Sequence, residues 1–325
     1  MAITTEETFE RLVETHRRGL HAHCYRMLGS LHDAEDAYQE AMLRAWRALP
    51  RLRDDAAART WLYRIATNVC LNAIARRPRR VLPADYGPPA DATKRSVGEP
   101  LVESVWVEPY PDEQLGIEDG LAAPEARYER RESVELAFIA AVQHLPATQR
   151  AVLILRDVLG FSAAESAGSL DTSSAAVNSA LQRARKSVEE RLPERSQQAT
   201  LRALGDERSR QLLHGYLDAW ERKDIPAIVA MLADDVVFDM PPWPAWYQGR
   251  ATVEELLQRN QEECYEGWRF TPVRANGQLA YAAYGLKDGR YEAAAINVVG
   301  VRDGLIHTGT SFVLPSLFPR FGVAA

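Results

Sequence analysis

The stretch FSAAESAGSLDTSSAAVNSALQRARKSV, residues 161–188, carries the punctuation of two helices joined by a tight break. Ser162 followed by Glu165 is a capping box: the hydroxyl accepts from the third amide while the carboxylate reaches back to the cap. Gly168, Ser169, Leu170 and Asp171 interrupt that first helix, and Thr172 or Ser173 can cap a second, longer one. On the second helix Val177, Leu181, Ala184 and Val188 fall on one face, and Ser174, Asn178, Gln182 and Arg185 on another. The spacing predicts a helix-turn-helix. Small residues at the start of its second helix, hydrogen-bonding groups mid-face and a basic C-terminal half suit the major groove of DNA. The helix N-terminus can meet phosphate, and Arg183, Arg185 and Lys186 can meet it further along. An ordinary amphipathic hairpin shares this periodicity, so the motif alone does not decide function.

Outward from it, residues 6–77 are strongly helical. A helix from about Glu6 to Met27 is interrupted at Gly29-Ser30, and Asp33 is expected to cap a second one. Its apolar face is Ala34, Ala37, Tyr38, Ala41, Met42 and Ala45. PRLRDD, 50–55, is a charged loop. A third helix over 56–77 carries Trp61, Leu62, Ile65, Val69 and Leu71, and it ends in Arg76, Arg77, Arg79 and Arg80 with Pro78 as the breaker. Residues 81–130 change character. Seven prolines (83, 88, 89, 100, 109, 111 and 124) and an excess of carboxylates predict an extended acidic linker. Helical pattern returns over 131–192, and 193–205 is a short polar connector. From Asp206 the pattern is α+β. Helices are expected at 206–222, 225–233 and 251–264. Asn276-Gly277, Asp288-Gly289 and Asp303-Gly304 then mark two-residue hairpin turns between strands at 268–275, 278–286, 290–301 and 305–314. The predicted division is 1–80, linker 81–130, 131–195 and 206–325.

A chain of 325 residues exceeds what one hydrophobic core usually holds, which fits that division. The net charge of −6 excludes a uniformly basic nucleic-acid coat but not a local basic surface. Cys24, Cys70 and Cys264 are odd in number and far apart, so no disulfide framework is implied and a reduced cytoplasm is the simple expectation. MAITTEETFERL lacks the basic flank and apolar run of a signal peptide. No stretch approaches the ~20 apolar residues that span a bilayer. His21, His23 and Cys24 cluster, but positions two apart on a helix diverge, and no CxxC or HExxH spacing occurs. Phosphate-loop, dinucleotide and GxSxG motifs are also missing, so neither metal nor cofactor is expected.

DAEDAYQEAMLRAWRAL at 33–49, RTWLYRIATNVCLNAIARR at 59–77 and LPATQRAVLILRDVLGFSAAESAGSLDTSSAAVNSALQRARK at 145–186 resemble three blocks of the extracytoplasmic-function (ECF) sigma factors. The remainder resembles a SnoaL-like cone domain, and WVEPYPDEQL in the linker fits the subgroup that carries one. The resemblance implies a multidomain fold: two all-α sigma domains, the second with the helix-turn-helix, then an α+β SnoaL-like domain. It implies core RNA polymerase and promoter DNA as partners. On that resemblance 33–49 docks on the polymerase clamp helices through Asp36, Gln39, Glu40, Arg44 and Arg47. The helix at 59–77 reads and opens the −10 element. Trp61 and Tyr63 offer π-surfaces, Arg59 and Arg64 meet phosphates, Asn68 and Asn72 reach base edges, and Arg76 belongs to the same DNA-binding set. Trp61 is equally a candidate core anchor. The loop at 50–55 would capture a flipped base. The −35 element falls to Ser173, Ser174, Asn178, Ser179, Gln182, Arg183, Arg185 and Lys186. Many members carry Lys or Arg where Asn178 and Ala180 stand, so a weaker phosphate contribution is expected. The acidic linker is expected in the polymerase's basic RNA channel, with a disordered spacer as the alternative.

In the C-terminal region Asp239, Trp243, Trp246, Tyr247, Asn297 and His307 are the candidates for a pocket or an interdomain contact. Asp239 and His307 could form an acid–base pair, while DMPPWPAWYQG reads as a rigid aromatic lid. Interdomain or polymerase-facing packing, small-ligand sensing and catalysis all stay open for this domain. The preferred expectation is control in cis over the placement of the two DNA-binding domains, without catalysis. A stand-alone helix-turn-helix regulator with a ligand-sensing domain is the alternative, and it leaves 33–77 without a purpose.

Overall fold

The computed structural model describes residues 5–52, 57–93, 98–101, 105–115, 133–263 and 265–325. They form two compact units, one from 1–80 with 112–193 and the other from 81–111 with 194–325. Among the described residues no helix is long and apolar enough to cross a membrane.

The first unit is all-helical: α1 (Thr5–Leu28), α2 (Leu31–Ala48), α3 (Ala58–Ile74), α4 (Leu136–Gln143), α5 (Ala147–Leu153), α6 (Ala163–Ser169) and α7 (Ser174–Glu189). Ser30, not Asp33, caps α2, accepting from the Asp33 amide at 3.1 Å. Asp33 is thereby released to pair with Arg77 and, at 2.5 Å, with the buried Arg80, which ties the exit of α3 to the start of α2. The capping box of Ser162 and Glu165 forms as expected, and those hydrogen bonds hold the Glu165 carboxyl below its ordinary range. Ser173 is the cap of α7, and Asp171 takes the left-handed turn at φ 49°. Val177, Leu181, Ala184 and Val188 pack on Val142, Leu145, Val152 and Leu153. Each buried Val or Leu in this set contributes roughly 1.5–3 kcal/mol.

Both halves of this unit meet in its buried interior. Arg26 donates from Nε to the Ser133 carbonyl at 3.2 Å. Arg150 donates to the carbonyls of Met27 at 2.6 Å and Gln143 at 2.9 Å. Met27 is in the last turn of α1, where carbonyls lack an intrahelical partner, so Arg150 serves as its C-terminal cap across the two halves.

The second unit is α+β. A helix absent from the sequence expectation, α8 (Gln197–Leu204), occupies the supposed polar connector, started by the Ser196 cap. Its Gln197 amide pairs with both backbone groups of Val301, at 2.7 and 3.1 Å, where β-pairing is irregular. Then come α9 (Asp206–Glu221), α10 (Ile225–Ala230), β1 (Leu232–Asp239), β2 (Trp246–Gln248), α11 (Arg250–Glu263), β3 (Gly267–Ala275), β4 (Gln278–Lys287), β5 (Arg290–Arg302) and β6 (Leu305–Phe312). The sheet order is β2-β1-β6-β5-β4-β3. The antiparallel meander β3–β6 is as read from sequence, and Asn276, Asp288 and Asp303 adopt the positive φ of two-residue hairpin turns. β1 and β2 were not anticipated: β1 runs parallel to β6 and takes over residues assigned to the end of a helix. Tyr216, Ile228, Val253, Leu256 and Leu257 press the helices against Tyr281 and Val299 of the sheet.

The linker is not free over its described residues. Ala92 joins the core of the second unit, and Trp106, Val107 and Tyr110 are buried. Tyr110 and Asn276 exchange two hydrogen bonds, at 2.8 and 2.9 Å. The rest of the expected linker, 116–130, lies outside the described residues, as do positions 53–55 of the charged loop and Cys264.

Candidate nucleic-acid interface and ligand cavity

On α7 every expected −35 contact (Ser173, Ser174, Asn178, Ser179, Gln182, Arg183, Arg185 and Lys186) is exposed, opposite the buried stripe. Arg185 is drawn into a pair with Asp157 at 2.7 Å, while Arg183 and Lys186 extend the basic end. Backbone amides at the helix start and guanidinium groups along it give this face the layout of a groove-reading helix.

The expected −10 face of α3 is partly covered by the helix-turn-helix. Arg59 donates to the Leu159 carbonyl at 2.8 Å and stacks 4.3 Å over the Phe161 ring. Tyr63 is only 4% exposed, edge-on to Phe161 and His23, so it presents no free π-face here. Arg64 pairs with Asp171 at 2.7 Å, and Thr60 reaches Glu165 at 3.4 Å. Trp61 and Asn68 are half-buried, while Asn72 and Arg76 are exposed. Among the described residues the one ion pair across this edge, Arg64 with Asp171, is exposed and worth about 0–1 kcal/mol, so the buried packing of Tyr63 on Phe161 supplies the rest of the contact.

On α2, Asp36, Gln39, Arg44 and Arg47 are exposed and Glu40 is half-buried, with Arg44 and Glu40 paired at 2.6 Å. Leu43 and Trp46, passed over in the sequence reading, are 53% and 45% exposed in the middle of these charges. Two large apolar groups thus stand partly open inside a mixed charged face, Trp46 meeting Phe9 edge-on at 5.1 Å. Their signal was available in sequence, because Leu43 breaks the polar stripe at helical spacing.

The C-terminal candidates divide into four groups. Asp239, Trp243 and Asn297 line a cavity of about 430 Å³. Trp246 instead grips the linker, donating to Gly87 O at 2.7 Å and accepting from the Ala90 amide at 2.7 Å. Tyr247 is fully buried in the core. His307 does not line the cavity. Burial, then Arg302, lowers its pKa. Aromatic walls come from Tyr216 and Trp220 of α9, Tyr265 ahead of β3, Trp268 and Phe270 of β3 and Tyr281 of β4, and only the tertiary fold brings these elements around one space. Asp239 is 5% exposed, and burial raises its pKa to about 7 despite a hydrogen bond from Thr310. The aromatic run 240–247 is a wall and a linker clamp together rather than a simple lid. Among the described residues no group of three His, Cys, Asp or Glu is placed to hold a metal.

Residues 12–80 match Sigma-70 region 2, 135–188 match Sigma-70 region 4, and 213–308 match a SnoaL-like domain. The chain is 40% identical over 317 residues to the ECF RNA polymerase sigma factor SigG of Mycobacterium tuberculosis, covering 97% of this chain and 84% of that one. It is 30% identical over 160 residues to the ECF RNA polymerase sigma-E factor of Escherichia coli, covering 49% of this chain and 74% of the other. The crystal structure of the M. tuberculosis ECF sigma factor SigJ shares the fold, with a TM-score of 0.61 at 21% identity over 96% of this chain and 98% of that one. With both helical sigma regions and the SnoaL-like domain in one order, and 40% identity to SigG across 97% of its own length, the chain belongs to the ECF sigma factors of RNA polymerase.

Proposed function

We propose that this chain binds core RNA polymerase and directs initiation at its own class of promoter, with the C-terminal unit controlling that activity in cis. The observation that carries it is the pair of exposed faces in the helical unit, the groove-reading side of α7 and the Leu43–Trp46 patch of α2. The α2 patch docks the polymerase, α3 engages the −10 element and α7 the −35 element. The work is done in the cytoplasm, where that polymerase is found.

Arg59, Tyr63 and Arg64 must leave the helix-turn-helix before they can meet DNA, so the folded chain represents a resting form. The chain leaves the helical unit at Arg80 and returns at Asp112, and the C-terminal unit holds the intervening stretch. Holding that stretch limits how far the two DNA-reading domains can separate. This control needs binding and not catalysis.

The test is run-off transcription on genomic fragments with purified core polymerase and full-length protein. Specific start sites are expected; failure to confer any start site overturns the reading. Leu43→Asp places a charge in the centre of the docking patch and is expected to weaken core binding about tenfold or more, measured by competition, while leaving the fold intact. On α7, Arg183→Ala is expected to weaken DNA binding across sequences and lower the slope of log affinity against log salt by about one. An unchanged slope would remove Arg183 from the phosphate contacts.

A further inference from the structure

We propose that the cavity of the C-terminal unit binds a lipophilic amine, an aromatic ring system ending in a protonated nitrogen, and that the linker 81–111 senses its occupancy. A volume of about 430 Å³ lies within the range of small-molecule sites, roughly 300–1,000 Å³, and rings dominate the walls. Trp268 stacks on Phe270 at 6.1 Å and meets Trp220 and Tyr265 edge-on at 6.2 and 4.8 Å. Such a set of π-faces attracts a cation as well as an apolar ring.

The polar end of the cavity selects a donor. Asp239 stands on the last residue of β1, in register with Trp246 on one side and Thr310 on the other. The Thr310 hydroxyl bonds its carboxyl, yet Oδ1 is buried with no hydrogen-bond partner. The neighbouring Asn297 is already engaged: its Oδ1 accepts from Ser311 at 2.5 Å and its Nδ2 donates to Ala295 O at 3.4 Å. In its ionised form the unmet group is an acceptor at the base of an aromatic cavity, and a ligand ammonium satisfies it and, as a charge partner, holds the carboxyl in that form. Lys287, also lining the cavity, is exposed.

The same wall holds the linker. Met240 and Trp243 line the cavity, and between them the Pro242 carbonyl accepts from the Trp106 indole and from the Leu101 amide, both at 3.0 Å. A few residues on, Trp246 clamps Gly87 and Ala90. Pro241, Pro242 and Pro244 fix φ along this segment, so a ligand that shifts or braces Trp243 acts on the linker anchors as one piece. Only the consequence for initiation rests on the promoter-recognition reading. Ligand binding and linker protection do not, and both are measured on the free full-length chain.

Calorimetric titration with naphthylmethylamine and with acetylnaphthalene, a ring of similar size that can only accept, tests the site. The amine is expected to bind about tenfold tighter or better. Asp239→Asn should abolish that preference while its β5 amides exchange no faster than in the wild type, which shows the sheet intact. At saturating amine, exchange at the Ala90 and Leu101 amides should slow severalfold in the wild type and not in the variant. Absence of saturable binding overturns the site. Equal or reversed preference overturns the amine. Saturable binding with unchanged linker exchange overturns the coupling.

Discussion

Arg150→Met will destabilise the helical unit by about 3 kcal/mol or more, measured as a drop in urea midpoint at constant slope. The guanidinium is buried, and it donates to Met27 O, Gln143 O and Leu145 O, the first in one half of the unit and the others in the other half. Methionine fills comparable volume but leaves those carbonyls unmet, at about 1–3 kcal/mol for each that water cannot reach. Burial lowers the Arg150 pKa only to about 10, so the group stays charged at neutral pH and its hydrogen bonds are charge-assisted. Lysine cannot span the same set, because its ammonium lacks the planar fork, so Arg150→Lys should restore only part of the loss. Amide exchange at the start of α3 should accelerate in parallel, since the two halves part once their shared cap is removed. A change of under about 0.5 kcal/mol, typical of an ordinary surface position, would show that the two halves are held elsewhere.

The second large effect concerns Asp239 and the pH dependence of the C-terminal unit. Its carboxyl titrates at about 7 in the folded chain against an ordinary value of 3.8, because burial penalises the charged form. Between those values the folded state keeps a proton that the unfolded state has released. Stability from this group is therefore full near pH 4, falls as pH rises towards 7 and is flat above it. At roughly 1.4 kcal/mol for each pH unit, the wild type should lose about 3 kcal/mol between about pH 5 and pH 8. Asp239→Asn removes the titration, so it should gain on the wild type by that amount across the same interval. Exchange of the slowest β5 and β6 amides, corrected for intrinsic rates, reads this unit alone. Parallel profiles for the two proteins would mean that the carboxyl ionises freely in the folded chain.

Much of the fold was legible because its signals are local. Ser162 with Glu165, Ser173, and the Asn-Gly and Asp-Gly turns act on backbone within about four residues, and each forms as the sequence indicates. What escaped depends on distant partners. LADDVVFD at 232–239 lacks strict alternation, with burial running in pairs along it, and becomes a strand only because β6 offers a parallel edge. Asp33 looks like a helix cap until Arg77 and Arg80 arrive from the far end of α3. The polar connector at 193–205 becomes a helix whose Gln197 finds its hydrogen bonds at Val301, more than a hundred residues away.

The candidate site shows the same boundary. Helical phase alone was enough to separate the exposed polar side of α7 from its buried stripe, since each side chain's direction follows from its position in the turn. Helical phase cannot say what stands opposite a side chain. Arg64 and Arg183 are chemically alike, yet one is paired with Asp171 and the other extends an exposed face. Tyr63 and Trp61 are close neighbours, yet only Tyr63 is fully covered. Domain order, the helix-turn-helix and the hairpins are therefore written in neighbouring residues. Which arginines are free, where the linker lies and which rings enclose Asp239 were decided by tertiary packing, because each depends on surfaces brought together from remote parts of the chain.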